Sequence, residues 1–223
     1  MKPVVIQTGS SGNCVILNNV LALDMGVTIK KVAPYIPGLQ LVFVSHEHSD
    51  HFKAGTIRTL ARQRPALRFC CGPFLAEKFL QAGVGPASLD IIQPGTWYDY
   101  GAFRVSPVEL HHNVPNYGLK IQMDGERAIY MTDTGYVDDV QAQGYELFML
   151  EANHGEQEIR ERIEAKRADG IFPYEVETAR NHLSYEQAMD WLVRNAGPDS
   201  RYVFLHQHQE KSKAKQESNQ EYA

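Results

Sequence analysis

No run of this chain approaches the roughly 20 consecutive apolar residues that a membrane-spanning helix requires, so a membrane role is not expected. Cysteine is scarce: three residues, two of them adjacent (Cys70 and Cys71), cannot build the paired framework of a disulfide-stapled secreted domain. The opening residues Met1-Lys2-Pro3-Val4-Val5 have no apolar core of signal-peptide length. These absences together point to a cytoplasmic protein. Cys70 and Cys71 follow Leu67-Arg68-Phe69 on an expected strand, which makes them buried, inert thiols rather than ligands. An excess of positive charge is missing as well: 22 Lys+Arg against 27 Asp+Glu leave a net charge of −5. That disfavours bulk electrostatic capture of long nucleic acid and leaves such a role to a local basic patch. No internal repeat is present, and 43% hydrophobic with 22% charged residues suits a single globular domain, read here as residues 1–210. From Lys211 to Ala223 the chain is Lys, Gln, Glu, Ser and Asn with almost nothing apolar, the composition of a disordered tail.

What is present is a strand-rich start followed by mixed elements. Val4–Thr8, Cys14–Leu17 and Val20–Leu23 read as strands, with Asn18-Asn19 suited to a tight hairpin. Leu41–Ser45 is a strand, Phe52–Arg64 a helix with Ile57, Leu60 and Ala61 on its apolar face, and Leu67–Cys71 another strand. Pro73 opens a helix over Phe74–Ala82 that Gly83 ends. Strands are expected at Ile91-Ile92, Trp97–Tyr100, Phe103–Leu110, Tyr117–Met123, Ala128–Thr132, Glu146–Leu150 and Arg201–Leu205, with Asp124-Gly125 as a hairpin turn. Gln157–Ala168 and Tyr185–Arg194 are late helices, the second opened by a capping box of Ser184 and Gln187.

One phrase carries concentrated chemistry. His46-Glu47-His48-Ser49-Asp50-His51, directly after the apolar strand, places three imidazoles and a carboxylate in one turn. Alternate residues share a face of an extended chain, so His46 and His48 can grip one ion while Asp50 and His51 face a second. Other polar outliers also fall at strand ends: His111-His112 after Leu110, Asp133 after Thr132, His206 after Leu205. Strand termini are stiff and converge on one rim, so this set supplies ligands for two ions, with Asp133 able to bridge them.

On these residues the chain resembles the metallo-β-lactamase fold superfamily. The likeness runs from Thr8 to His206 and includes Gly9-Ser10-Ser11-Gly12-Asn13 and Leu23-Asp24-Met25-Gly26, both familiar in the branch of ribonuclease Z and small YycJ-like nucleases. It implies an α/β (α+β) architecture, a four-layer αβ/βα sandwich of two mixed sheets. It also implies that His46, His48 and His112 hold one metal, that Asp50, His51 and a C-terminal histidine hold the other, and that Asp133 bridges. The pattern favours His112 over His111; His206 and His208 alternate onto one face, and His206 is taken as the ligand. Asn181-His182-Leu183-Ser184 resembles the segment of the phosphodiesterase branch whose histidine sits near the leaving group. Glu151 and His154, in Glu151-Ala152-Asn153-His154, are at most supports to ligands.

The expected activity is therefore hydrolysis of a phosphodiester by a metal-bridging hydroxide, with Asp50 and His182 as catalytic residues and His182 protonating the leaving alkoxide. Donors without cysteine suit zinc, with manganese a competitor. The acidic net charge and the lack of a Lys/Arg-rich insertion favour a cyclic nucleotide, as in the phage anti-Pycsar branch that the chain also resembles; a DNA or RNA nuclease is the alternative. Thioester or lactone hydrolysis, or binding without catalysis, ranks lower. Gly170–Glu175 is read as a lid or a homodimer contact, or equally as a loop whose aromatic residues pack on the core. Tyr174, stacking on a base, and Asn116 are the candidate substrate-binding residues.

Overall fold

Side chains alternate across every long strand, and the alternation sorts them into three apolar layers. The computed structural model describes residues 1–207, so the tail and His208 lie outside the described residues. Along β4 (Leu41–Val44), Leu41 and Phe43 enter one cluster and Val42 and Val44 another. Along β10 (Glu126–Met131), Ala128 and Tyr130 join the cluster of Leu41 and Phe43, while Ile129 and Met131 join a third. Strands with both faces buried need a covering layer on each side. The result is two sheets face to face, each backed by helices, the expected four-layer sandwich.

The first sheet has the order β1 (Pro3–Gln7), β2 (Cys14–Leu17), β3 (Leu21–Leu23), β4, β5 (Arg68–Cys71), β6 (Leu89–Ile91). The second has β12 (Arg201–Leu205), β11 (Leu147–Glu151), β10, β9 (Asn116–Met123), β8 (Phe103–Leu110), β7 (Tyr98–Asp99). Both are mixed: β1 to β3 run antiparallel and β3 to β6 parallel, while β7 to β10 run antiparallel and β10 to β12 parallel. Helices α1 (Ile29–Val32), α2 (Ala54–Gln63) and α3 (Ala76–Gln81) back the first sheet, with Val32, Ile57, Leu60 and Phe79 buried in its outer cluster. On the second sheet, Ala188, Trp191 and Leu192 of α6 (Tyr185–Asn195) do the same. The charged helix α4 (Glu156–Ala168) buries only Ile159 and pairs with α5 (Glu175–Asn181) in an arm beside the sheet end.

Most expected elements are found within a residue or two. Asn18 and Asn19 take φ 47° and 60°, and Asp124 and Gly125 take φ 53° and 79°, the left-handed pairs that a two-residue hairpin of type I′ demands. The capping box at Ser184 is made reciprocally, Gln187 N donating to Ser184 Oγ at 3.0 Å and Ser184 N to Gln187 Oε1 at 2.9 Å. All three cysteines are free and buried, and burial pushes the Cys71 thiol up to about 12. The segment from Trp97 to Tyr100 keeps only a two-residue strand, and α1 and α5 carry no clear periodic signal; α5 (Glu-Val-Glu-Thr-Ala-Arg-Asn) is held by tertiary contact with α4 instead. No helix among the described residues is long and apolar enough to cross a membrane.

Candidate metal centre

The C-terminal ends of β3, β4, β8, β10, β11 and β12 meet at one rim, and each hands a polar residue to it: Asp24, His46, His112, Asp133, Glu151 and His206. Three of these adopt left-handed backbone, with φ 60° at Asp24, 53° at Asp133 and 49° at His206. Non-glycine residues rarely accept that conformation, and it turns each side chain off its strand into the centre. The hexapeptide loop is closed by His48 O, which accepts from His51 N at 2.9 Å and Phe52 N at 2.8 Å. Gly26 seats it: a Cβ there would lie 1.6 Å from the Asp50 carbonyl oxygen. Gly135 lets the backbone of Arg180 approach in the same way, a Cβ there lying 2.0 Å from its carbonyl oxygen, and so brings the His182 segment to the Asp133 loop.

Among the described residues three donor groups result: His46, His48, His112 and Asp133 in the first, Asp50, His51, Asp133 and His206 in the second, and Asp133, Glu151, His182 and His206 in a third that shares two members with the second. In the first, His48 Nδ1 lies 3.1 Å from His46 Nε2 and 3.3 Å from His112 Nε2, while Asp133 Oδ2 is 3.7 Å from His46 Nε2 and 3.8 Å from His112 Nε2. In the second, Asp133 turns its other oxygen, Oδ1, to His51 Nε2 at 3.4 Å and His206 Nε2 at 3.7 Å, and Asp50 Oδ2 is 3.3 and 3.5 Å from the same nitrogens. Ligand atoms about 2.0–2.1 Å from a tetrahedral ion stand roughly 3.3–3.4 Å apart, so these spacings fit divalent ions in both groups. His206 Nε2, buried and without a hydrogen-bond partner, fits as well, because a metal ligand needs that lone pair free.

The supports are built from residues far apart in sequence. Asp24, fully buried, accepts from Ser45 N at 2.8 Å and from the Tyr130 hydroxyl at 2.6 Å, and its Oδ2 lies 2.6 Å from His51 Nδ1. Asn13 Nδ2 donates to Asp50 Oδ2 at 3.1 Å, and its Oδ1 accepts from Gly9 N. Asn153 Nδ2 reaches His206 Nδ1 at 3.0 Å. Burial and the neighbouring His51 hold His46 well below the usual imidazole range, and burial takes His112 down to about 4. Burial opposes a charged His51, yet the Asp133 and Asp24 carboxylates outweigh it and hold this imidazole well above its ordinary value. Asp133 stays well below the carboxylate range despite burial, because His51 and His206 flank it.

The remaining expected residues divide. His182 reaches the rim, its ring stacked on His206 at 5.1 Å and 5.2 Å from that of His112. Its Nδ1 lies 3.0 Å from Glu151 Oε2, and this bond outweighs burial in raising its pKa. Glu151 is fully buried and its Oε1 accepts from Thr134 N and Leu183 N, a larger part than its sequence context indicated; the signal available was a carboxylate ending the buried strand Leu147–Leu150. His111 turns outward to Asp139. Asn116, expected at the substrate, is 2% exposed and donates to the Thr132 and Asp133 carbonyls, bracing the turn that aims Asp133. Tyr174 is exposed on the α4–α5 arm, with Lys166 Nζ 3.6 Å over its ring, and lines a small pocket with Asn153 and His154.

The same architecture occurs in solved structures of low sequence identity. The metallo-β-lactamase fold protein YhfI from Bacillus subtilis aligns with TM-score 0.68 at 18% identity, covering 92% of this chain and 85% of that one. The short form of human tRNase Z aligns with TM-score 0.69 at 16%, covering 93% of each, and Zn(2+)-bound PqqB from Methylobacterium extorquens with 0.64 at 12%, covering 93% and 89%. No curated protein sequence matches the chain significantly. The family model described as a β-lactamase superfamily domain matches residues 23–207, from the end of β3 through the strand end that carries His206, and the chain belongs to that family, with the metallo-β-lactamase fold.

Proposed function

We propose that the protein is a metal-dependent phosphodiesterase whose substrates are cyclic nucleotides. The observation that carries the reading is the split of the Asp133 carboxylate, one oxygen toward each donor group, with His182 poised beside both. Two divalent ions held there, zinc or manganese, would make a water nucleophilic near neutral pH and steady the attacking and leaving oxygens of an in-line displacement. The chain's own residues do the rest. Glu151 is pinned by two backbone N–H groups and occupies His182 Nδ1, which leaves Nε2 to carry a proton to the departing alkoxide. Asn13 holds the carboxylate of Asp50 in place at the opposite side. Tyr174, on the arm beside Asn153, stacks on the base.

Substrate size follows from access. His46 and His51 are fully buried and the Asp50 and His182 side chains are only 19% and 16% exposed, so a small diester reaches the centre more readily than a duplex. A second reading, a nuclease, rests on the likeness to human tRNase Z over 93% of each chain. The discriminating experiment is turnover of 3′,5′-cyclic nucleotides against short single- and double-stranded oligonucleotides, with zinc, manganese or chelator. Cyclic substrates cleaved in a chelator-sensitive way support the proposal. Cleaved oligonucleotides with intact cyclic nucleotides would overturn it in favour of the nuclease.

A further inference from the structure

The layer between the two sheets is apolar around β10, where Tyr130 packs among Val15, Leu23, Phe43, Leu119 and Met149 at 1% exposure. A phenylalanine would fill this space without bringing a hydroxyl into it. Among the described residues the hydroxyl has one partner, Asp24 Oδ2 at 2.6 Å, on the other sheet and 106 residues away. That same oxygen lies 2.6 Å from His51 Nδ1 and accepts from Ser45 Oγ at 3.1 Å. Asp24 is 0% exposed, so no bulk water replaces a donor that is lost. β10 thus reaches the centre twice: its end delivers Asp133, and Tyr130 crosses to the opposite sheet to hold the carboxylate behind His51.

We propose that Tyr130 is a positioning residue for the second donor group, acting through Asp24 on His51. Without the phenol, Asp24 loses a donor that fixes its carboxylate plane, and His51 loses the fixed acceptor that keeps its proton on Nδ1 and Nε2 turned to the centre. Outer partners of ligating imidazoles act in this way, and removing one costs about 10–100-fold in metal affinity. The effect falls mainly on the second group, because Asp24 touches His51 directly but reaches His46 only through the Ser45 hydroxyl, and His112 leans on the Asn181 carbonyl at 3.1 Å, outside this chain of contacts. The inference rests on the two-ion reading above.

The test compares full-length wild type with Tyr130→Phe, which keeps the ring volume, by calorimetric titration of each metal-free protein with zinc and with manganese. The expected result is two equivalents in both proteins, the weakening of about 10–100-fold falling on one equivalent and less than about threefold on the other. In the zinc-loaded proteins, nitrogen-15 shifts of the His51 ring should show a single form protonated on Nδ1 in wild type and a mixture in the variant. In a double-mutant cycle, Asp24→Asn with Tyr130→Phe should lose no more affinity than Asp24→Asn alone, since both changes act on one contact. A merely structural role would lower the melting temperature of the metal-free variant and leave both affinities and the tautomer unchanged, which would overturn the inference. Additive losses in the cycle would overturn it too. A wild type that takes only one equivalent would overturn the two-ion reading and this inference with it, whereas two equivalents held equally well by wild type and variant would overturn the inference alone.

Discussion

Behind the imidazoles of the first donor group stand neutral partners, the Ser45 hydroxyl against His46 and the Asn181 carbonyl against His112. Behind the second stands a buried carboxylate, Asp24, against His51, with Glu151 Oε2 3.8 Å from His206 Nδ1. The groups also differ in front: three nitrogens and one oxygen in the first, two of each in the second. Nitrogen-rich sets suit zinc and oxygen-rich sets admit harder ions such as manganese. The first two donor groups on this edge are therefore unequal although Asp133 is common to both, and the inequality lies as much in the supports as in the ligands.

Removing the shared residue should have the largest effect. Asp133→Ala takes a donor from both groups, so both equivalents of metal should weaken together and turnover should fall at least about 10³-fold, as for residues that act as one unit. Elemental analysis after dialysis, beside a rate assay, checks this; a variant that keeps one tight equivalent would show the groups to be independent. The paired variants His48→Ala and Asp50→Ala sharpen the contrast. In mixed zinc and manganese, the first should lose zinc and the second manganese, and loss of the same ion from both would break the proposed difference in hardness.

That contrast was only partly legible in the sequence. His46, His48, Asp50 and His51 are contiguous and follow an apolar strand, so one turn exposes both groups at once. Asp133 and His206 could be read because each interrupts a strand end, although the left-handed backbone that aims them leaves no mark on residue identity. Glu151 could be placed among the supports, but what each support holds could not be read. Asp24 meets Tyr130 across 106 residues and two sheets, and Glu151 meets His182 across 31, pairings that only the closed sandwich creates. The bonds from Asn116 to the Thr132 and Asp133 carbonyls are of the same kind, joining residues 16 and 17 positions apart that nothing in the sequence pairs. The sheets were legible because alternation is local; α5 was not, because its helicity comes from α4.

His182 tests whether the rim does more than hold ions. It touches the ring of a ligand from each of the first two groups and belongs only to the third, where its Nδ1 is taken by Glu151, so His182→Ala should leave both affinities within about twofold. If it delivers the proton, kcat should fall about 10²–10⁴-fold. Glu151→Gln should reproduce part of that loss, since an amide at this position offers no second carboxylate oxygen to His182 Nδ1. Calorimetry and steady-state kinetics on the same preparations separate the outcomes. A drop in metal content that accounts for the lost rate would place His182 with the supports instead.

The smallest effect belongs to the arm. Tyr174 is 59% exposed and Lys166 covers one face of its ring, so truncation removes little packing, and a fall in melting temperature beyond a degree or two is not expected. Stacking of a base on an aromatic ring is worth about 1–3 kcal/mol, so Tyr174→Ala should raise KM for a cyclic nucleotide about tenfold while kcat holds. A base-free alkyl phosphodiester is the control that gives the measurement its meaning. It meets the same metal groups and the same His182 but offers nothing to stack, so its kinetics should not change. A KM that rises equally for both substrates would mean that the arm shapes the centre itself rather than stacking on the base.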